Sequence, residues 1–352
     1  MKFMHISDVH LGVTPDAGKK WSEKRAQDIW DSFAEMIAIA AKESPDFLLI
    51  SGDLFHKQPL KRELKEICGL FSKIPQTNVI LMAGNHDYIQ QNSYYRTVEF
   101  PKNVFFFPRQ EVICFDFPEK NTAIYGLSYW QREIKEPLYD TVCPKNSERI
   151  NILLAHGGDE KHIPFSPQKI LDHGFDYIAA GHIHKGQQLV AGRAVMAGAL
   201  EPTDCNDTGS HGYWLGTIEK GKSSISFYPV KKCEYCHETI AVTPEMTEYE
   251  LRDTIAKLIE NGEKYQYFCI RLEGRKDPDI IFDLEKIEQM VRVVSVTEQC
   301  VPDYNYEKLQ KEHESSLLGA YISSMAGKGD NPVAAKALEY GVGALLGHEI
   351  CR

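Results

Sequence analysis

The sequence has no apolar run of the roughly 18 residues that a membrane-spanning helix needs. Met1 to Ile6 begin a strand pattern, without the basic and apolar regions of a signal peptide. No internal repeat and no low-complexity tract interrupts the 352 residues. These absences argue against a membrane protein or a fibrous one, and they predict a cytoplasmic location with no membrane partner.

A disulfide framework is also missing. The nine cysteines are an odd number and are scattered from Cys68 to Cys351. A small secreted domain would place an even number of cysteines close together. We therefore expect reduced thiols.

An excess of basic residues is the third feature that the sequence lacks. The net charge is −10; from residue 240 onward 13 basic and 20 acidic residues give −7, which leaves −3 for residues 1–239. Charge alone therefore indicates no nucleic-acid partner. A polyanion would have to be held by local features, and bound divalent cations would be the strongest of these.

The stretch Leu48-Leu49-Ile50-Ser51-Gly52-Asp53-Leu54-Phe55-His56 gives the first indication of function. An apolar run from Phe47 to Ile50 predicts a buried parallel strand, and Gly52 allows a sharp turn that brings Asp53 to its carboxyl end. Sites in open α/β sheets form at this edge. An isolated aspartate here could equally be a helix cap or a turn residue.

Four further motifs follow predicted strands, which favours a shared site over isolated structural residues. They are Asp8-Val9-His10, Gly84-Asn85-His86-Asp87, His156-Gly157-Gly158 and Gly181-His182-Ile183-His184. Carboxylate, amide and imidazole groups are suitable ligands for Mn²⁺, Fe²⁺ or Zn²⁺. We predict that Asp53 is shared by two such ions.

The strand and helix patterns predict an α/β fold in three parts. Residues 1–235 form a two-sheet α/β sandwich, in which the strands of residues 186–230 build the second sheet. Residues 236–300 form a small α/β module, with helices expected at 248–261 and 279–290. Residues 301–352 form a C-terminal helical segment, in which helices over 306–325 and 332–346 are separated by Gly327-Lys-Gly329-Asp-Asn-Pro332.

Two groups of residues near the motifs are candidates for DNA contacts, although packing is the commoner role of such aromatic residues and solvated surface charge that of each basic residue. One is a predicted surface segment that contains Tyr88, Tyr94, Tyr95 and Arg96. The other is a basic track formed by Lys19, Lys20, Arg25, Lys57, Lys61 and Arg62.

Taken in chain order, the five motifs resemble those of the calcineurin-like metallophosphoesterases. The opening His5-Ile-Ser-Asp-Val-His-Leu-Gly12 and the run Gly52-Asp-Leu-Phe-His56 resemble the SbcD-type DNA repair exonucleases, which are nuclease partners of SbcC-type ATPases. The resemblance implies a metallophosphoesterase sandwich, a capping module that helps select DNA, cleavage of DNA phosphodiesters, a coiled-coil ATPase partner and a homodimer. In this chain the module is acidic, which departs from the family pattern and argues against extensive contact between the module and the DNA backbone.

The same resemblance implies roles for individual residues. One metal is bound by Asp8, His10, Asp53 and His184, and the other by Asp53, Asn85, His156 and His182. Two divalent ions, manganese in the family and with iron or zinc as alternatives, would activate water for attack on phosphorus. His86 stabilises or protonates the leaving oxygen, and His56 orients His86.

Two other functions fit the same residues. The metals could serve a phosphoesterase that acts on small phosphoesters, cyclic nucleotides or phosphoproteins. The chain could also be mainly a structural subunit that binds an ATPase through its C-terminal helices, although a complete ligand set argues against a purely structural role.

Overall fold

The computed structural model describes residues 1–325 and 331–347 of the chain. The chain divides into two compact units, Met1–Tyr235 and Cys236–Arg352. Most of the break predicted between the last two helices, residues 326–330, lies outside the described residues, as do residues 348–352. In the described part of the chain, no helix has both the length and the apolar composition needed to cross a bilayer.

The first unit is a two-sheet α/β sandwich, as the sequence predicts. Its strands are, in chain order, β1 (Lys2–Ile6), β2 (Phe47–Ile50), β3 (Asn78–Leu81), β4 (Val104–Phe106), β5 (Ile113–Phe117), β6 (Thr122–Gly126), β7 (Ile150–His156), β8 (Tyr177–Gly181), β9 (Gln187–Val190), β10 (Ala194–Met196), β11 (His211–Glu219) and β12 (Lys222–Val230). One sheet has the order β12-β11-β1-β2-β3-β4, and the other has the order β5-β6-β7-β8-β10-β9.

The assignment of all strands in residues 186–230 to the second sheet is wrong in part. Strands β9 and β10 do join the second sheet, but β11 and β12 belong to the first. Strand β11 lies antiparallel to β1, with His5 opposite Trp214. Pairing between residues about 200 positions apart leaves no local signal in the sequence.

Alternation along the strands separates two hydrophobic layers. Phe3, Phe47 and Leu49 pack with Ile152 and Leu154 of the other sheet, in the interior of the sandwich. Neighbouring residues on the same strands point the other way, because successive side chains of a strand lie on opposite faces. They pack against helices α1 (Ser22–Glu43) and α2 (Lys61–Phe71).

The outer face of the second sheet is covered by helix α3 (Pro167–Asp172) and the loops around it. Strands β1, β2 and β3 are mutually parallel, and so are β7 and β8 in the other sheet. All the motifs of the sequence lie at the carboxyl ends of these five strands or in the loops that follow them. The fold therefore presents the motif residues at the carboxyl ends of parallel strands.

The second unit contains a three-stranded sheet and a group of helices. Its elements are β13 (Glu234–Val242), which begins at the end of the first unit, α4 (Glu248–Asn261), β14 (Gln266–Lys276), α5 (Leu284–Glu288), β15 (Val293–Pro302), α6 (Tyr306–Glu312), α7 (Leu317–Met325) and α8 (Pro332–Leu346). The sheet order is β13-β14-β15, with β14 and β15 parallel.

Two predicted helices of this unit are shorter in the structure. Helix α5 begins only after Asp283, whose side chain accepts a hydrogen bond from the Lys286 N–H and so caps the helix. The helix predicted over 306–325 is divided between α6 and α7. Ser316 donates its hydroxyl hydrogen to the His313 carbonyl at 2.8 Å, a local bond that competes with helix continuation.

Candidate metal centre

The loops after β1 and β2 run side by side past the edge of the first sheet. The Asp8 N–H donates to the Gly52 carbonyl, and the His10 N–H donates to the Asp53 carbonyl, each at 3.1 Å. Asp8, His10 and Asp53 have positive φ angles of 49°, 52° and 49°. Non-glycine residues rarely adopt this conformation, and such strain collects at functional sites.

Close glycine contacts bring the second sheet into the same site. A Cβ atom at Gly52 would lie 2.4 Å from His156 Nδ1, and one at Gly84 would lie 2.3 Å from Asp53 Oδ1. No side chain fits at either position without moving these groups. The glycines of the motifs therefore allow the ligand-bearing loops of the two sheets to approach each other.

The structure brings the predicted ligands together in two groups. Asp8, His10 and His184 form one, with their ligand atoms within 4.8 Å of one another. Asp53, His156 and His182 form the other. The shared role of Asp53 stays a prediction.

Asn85 joins the second group through its side-chain oxygen. Asn85 Oδ1 lies 2.8 Å from His156 Nε2 and 3.0 Å from His182 Nδ1. His156 Nδ1 lies 2.8 Å from the Ser51 carbonyl, to which it donates its proton. Without a metal ion, a proton on Nε2 can bridge to the amide oxygen. If a metal ion replaced that proton, the Nε2 lone pair and the amide oxygen would both face it, and a divalent cation fits this donor set.

The first group has a similar arrangement of nitrogen atoms. His10 Nε2 lies 3.0 Å from His184 Nε2. His184 Nδ1 lies 2.8 Å from Asp207 Oδ2 and donates its proton there. In the neutral form that ligates a metal, the Nε2 lone pair of His184 is consequently directed at His10. In both groups the potential ligand atoms thus converge, and the residues of each group fit a bound metal ion.

The electrostatics of the site favour cations. Burial opposes a charge on His156, but the facing Asp53 carboxylate outweighs burial and raises the pKa of His156 to about 9. Burial would raise the pKa of Asp53 too, yet attraction to His156 holds it far below its usual range. For His184, burial is outweighed by the hydrogen bond to Asp207, and the pKa rises to about 9. The carboxylates remain ionised and attract positive charge.

His10 differs from these two histidines. Burial dominates the nearby carboxylates and lowers the pKa of His10 to about 3. The side chain is only 1% exposed. His10 therefore stays neutral at physiological pH, which is the form that ligates a metal.

His86 lies beside both groups, and the backbone rather than a side chain orients it. Its N–H donates to Asp53 Oδ1 at 2.8 Å, and its Nδ1 donates to the carbonyl oxygen of His56 at 3.1 Å. That His56 orients His86 stays a prediction. The hydrogen bond to His86 is made by the His56 carbonyl, and the two imidazole rings lie 5.2 Å apart between their centroids. The His56 imidazole also lies near His10, with 3.4 Å between their Nδ1 atoms.

Two expectations about DNA-contacting residues are wrong. Arg25 is fully buried and donates to the Pro202 carbonyl at 3.0 Å, so it cannot join a surface track. Tyr95 is buried, whereas Tyr94 is 43% exposed. Arg96 lies over the Trp130 ring, with 5.4 Å from its guanidinium carbon to the ring centroid.

Sequence reasoning missed Asp87, Asp159, His162 and Asp207 as residues that support the site. Buried Asp87 accepts from the Gly84 N–H at 2.8 Å and from the Phe55 N–H at 3.2 Å. Burial and the neighbouring Asp53 charge raise the pKa of Asp87 to about 7. Asp159 and His162, three residues apart in the loop after β7, could have been recognised as a polar pair next to a motif.

The sequence pattern of the calcineurin-like phosphoesterase family matches residues 1–186. The chain is 27% identical over 302 residues to the uncharacterized metallophosphoesterase YhaO of Bacillus subtilis, an alignment covering 77% of this chain and 71% of that protein. It is 30% identical over 308 residues to the DNA double-strand break repair protein Mre11 of Sulfurisphaera tokodaii, covering 79% and 74%. The Mre11 protein of Thermoplasma acidophilum is 28% identical over 317 residues, covering 82% and 81%.

The chain belongs to the calcineurin-like phosphoesterase family. The family resemblance stated from the motifs is thereby confirmed. The protein is a metal-dependent phosphoester hydrolase of a family with dinuclear metal centres, and its structure contains the matching clusters of histidine and aspartate. Two bound divalent cations would neutralise phosphate oxygens and lower the pKa of water near the scissile bond.

Proposed function

We propose that this protein is a DNA exonuclease and endonuclease that uses two manganese ions, with iron or zinc as alternatives, in cytoplasmic DNA repair. Asp8, His10, Asp53 and His184 bind one ion, and Asp53, Asn85, His156 and His182 bind the other. His86 protonates or stabilises the leaving oxygen. The proposal includes the residue assignments as well as the substrate.

The observation that carries this proposal is the convergence of five motif loops from two sheets on one pair of clusters. Two features support it, one of the site and one of the relatives. The ligand nitrogens converge at 3.0 Å between His10 and His184. Relatives aligned over more than two thirds of their length are named DNA double-strand break repair proteins.

The partners belong to the same proposal. We assign residues 236–300 as a capping domain and residues 301–352 as a helical segment that binds an SbcC-like coiled-coil ATPase. Exposed apolar side chains on the described helices of this segment support a protein contact there; Leu317 is 73% exposed and Val333 is 76% exposed. The resemblance also leads us to expect a homodimer, which light scattering on the purified chain tests.

The decisive experiment is Mn²⁺-dependent degradation of end-labelled single- and double-stranded DNA by the purified chain. Asp53→Ala and His86→Ala should each abolish cleavage. His173→Ala is the matched control, because His173 is an exposed histidine that donates to the Val142 carbonyl and touches no proposed ligand. The order in which labelled products appear gives the polarity of the exonuclease.

Two other outcomes would change the proposed substrate or the proposed role of the partner. Turnover of nitrophenyl phosphodiesters without cleavage of any DNA, by protein that holds two metal ions, would replace DNA with a small phosphoester as the substrate. Cleavage that appears only after addition of the ATPase would instead make the partner part of the active enzyme.

A further inference from the structure

Two aspartates outside the proposed ligand set each contact one histidine of the loop after β8. Asp159 Oδ2 lies 2.7 Å from His182 Nε2, and Asp207 Oδ2 lies 2.8 Å from His184 Nδ1. The contacts engage opposite nitrogens of the two imidazoles. A carboxylate accepts a proton donor, so each contact determines which nitrogen of its histidine carries the hydrogen.

The opposite nitrogens of the two histidines face different metal groups. His182 Nδ1 lies 3.0 Å from Asn85 Oδ1, whereas His184 Nε2 lies 3.0 Å from His10 Nε2. With the hydrogen on Nε2, His182 has a lone pair on Nδ1. With the hydrogen on Nδ1, His184 has a lone pair on Nε2. Each lone pair is therefore directed at one group of proposed ligands.

Asp159 is itself held in a defined orientation by its own loop. Asp159 Oδ1 accepts hydrogen bonds from the backbone N–H of Lys161 at 2.7 Å and of His162 at 2.9 Å. His162 Nδ1 also lies 2.9 Å from both carboxylate oxygens. The backbone bonds anchor Oδ1, while Oδ2 lies between His162 and His182, although the Asp159 side chain is 46% exposed.

Asp207 is held by a different loop. Its Oδ2 accepts from the Thr203 N–H at 2.9 Å and from the Thr203 hydroxyl at 2.7 Å. The start of this loop is fixed to α1, where Ser32 donates to Glu201 Oε1 at 2.7 Å. Among the described residues, Asp159 and Asp207 form their hydrogen bonds with different partners, so the two supports are structurally separate.

We propose that Asp159 and Asp207 are positioning residues that impose opposite tautomers on the two histidines of one motif, so that each aspartate controls one metal site. Asp159 controls the site containing Asn85 and His156, and Asp207 controls the site containing Asp8 and His10. The inference rests on the metal ligands of the proposed function, but it does not depend on DNA being the substrate.

The expected effect follows from the role of the second nitrogen. Loss of an acceptor that orients a ligating histidine typically weakens metal binding about 10- to 100-fold. Asp159→Asn should weaken the binding of one of the two ions by this factor, and Asp207→Asn should weaken the binding of the other. Because separate loops carry the two residues, their effects should be nearly additive in free energy.

The test measures Mn²⁺ binding to the metal-free full-length chain by equilibrium dialysis, without DNA. The wild type should bind two ions, and each variant should keep one ion at wild-type affinity. Glu160→Gln and Asp204→Asn are matched controls, since they remove the same charge from exposed positions beside Asp159 and in the Asp207 loop. Both controls should bind like the wild type.

Double variants identify which ion each aspartate controls. In a His182→Ala background, Asp159→Asn should cause no further loss of Mn²⁺ affinity, while Asp207→Asn should still weaken the binding of the remaining ion. In a His184→Ala background the pattern should reverse. Visible absorption of the Co²⁺-loaded variants provides a spectroscopic readout, with the bands of one ion lost and those of the other retained.

Three outcomes would overturn the proposal. One is an undiminished effect of Asp159→Asn when His182 is absent, and another is a loss of both ions from either single variant. The third is binding of three ions by the wild type and two by Asp159→Asn, which would make Asp159, His162 and His182 a separate metal site. Two correctly partitioned ions in a chain that cleaves no DNA would contradict only the proposed substrate.

Discussion

Tyr95 donates its hydroxyl hydrogen to Asp87 Oδ2 across 2.8 Å, and both side chains are buried. The bond joins the short helical turn Tyr94–Arg96 to the loop that carries Asn85 and His86. Tyr95, which the sequence places in a predicted surface segment, is thus a buried residue that supports a loop of the metal centre.

Replacing Tyr95 by phenylalanine removes only the oxygen that donates to Asp87. We expect Tyr95→Phe to lower the free energy of unfolding by about 1.5 to 3 kcal/mol, because a buried carboxyl group loses a hydrogen-bond donor. Tyr94→Phe is the matched control at an exposed position and should have little effect. Urea unfolding of the three proteins measures the difference, and equal stabilities would refute the supporting role of this bond.

A methyl group at Gly84 should disrupt the metal centre. The Cβ of Gly84→Ala would lie 2.3 Å from Asp53 Oδ1 and 2.7 Å from His156 Nε2. We expect the variant to lose tight Mn²⁺ binding, as measured by calorimetric titration. Gly69→Ala serves as its control, because its added Cβ would meet no described atom within 4 Å apart from its chain neighbours and the backbone of its own helix. That variant should bind metal normally and gain up to about 1 kcal/mol of stability from helix propensity.

His56 and His86 should differ in importance for catalysis. His86 would act directly on the leaving oxygen, and loss of a general acid typically costs about 100- to 10,000-fold in rate. His56 contacts His86 through its backbone carbonyl, which His56→Ala retains. The loss in kcat for His56→Ala should therefore be at least about 10-fold smaller than for His86→Ala. Comparable losses would give the His56 imidazole a catalytic part of its own.

His5 should make the metal-free protein sensitive to mild acid. Burial lowers the pKa of His5 from 6.5 to about 3, so the unfolded chain binds a proton that the folded chain does not bind. Its contribution is complete above pH 6.5 and is lost as the pH falls towards 3. Between pH 7.5 and 5.0 this group should cost about 2 kcal/mol.

The matched variant for that measurement is His5→Gln, which cannot titrate. Urea unfolding at both pH values should show a smaller loss of stability in this variant than in the wild type. The same pH dependence in both proteins would mean that His5 is protonated in the folded state, against its contacts with Ser51 and Tyr177.

Metal binding should stabilise the fold by mass action. Mn²⁺ at about 100 times its dissociation constant should add about 2.7 kcal/mol per site. We expect the midpoint of thermal unfolding to rise with Mn²⁺ and to return on addition of a chelator. Asp53→Ala should abolish the rise at both sites if Asp53 is shared, whereas Asn85→Ala should abolish only part of it.

The sequence predicts the motif-bearing strands well because they are short apolar runs, buried on both faces of their sheets. The run Phe47–Ile50 is an example, since strand β2 has these bounds. The membership of β11 in the first sheet could not be predicted in this way. That pairing depends on packing between distant segments, as in the alignment of His5 with Trp214.

The candidate ligands show the same division. Histidines and aspartates next to strand ends form recognisable motifs, and the structure brings them together. Asp207 has no such signal, because it lies in an irregular loop and reaches His184 only through the fold. The hydrogen bond from His86 to the backbone carbonyl of His56 likewise could not be predicted from the sequence, since every residue has a carbonyl.

The contribution of both sheets to the metal centre has a consequence for the newly synthesised chain. Asp8, Asp53 and Asn85 follow strands of the first sheet, while His156 ends a strand of the second sheet and His182 and His184 follow another. The first sheet is itself completed only when β11 pairs with β1. Assembly on the ribosome therefore leaves the early members of the proposed ligand set without their partners until most of residues 1–235 have emerged, and we expect ion capture to be a late step of maturation.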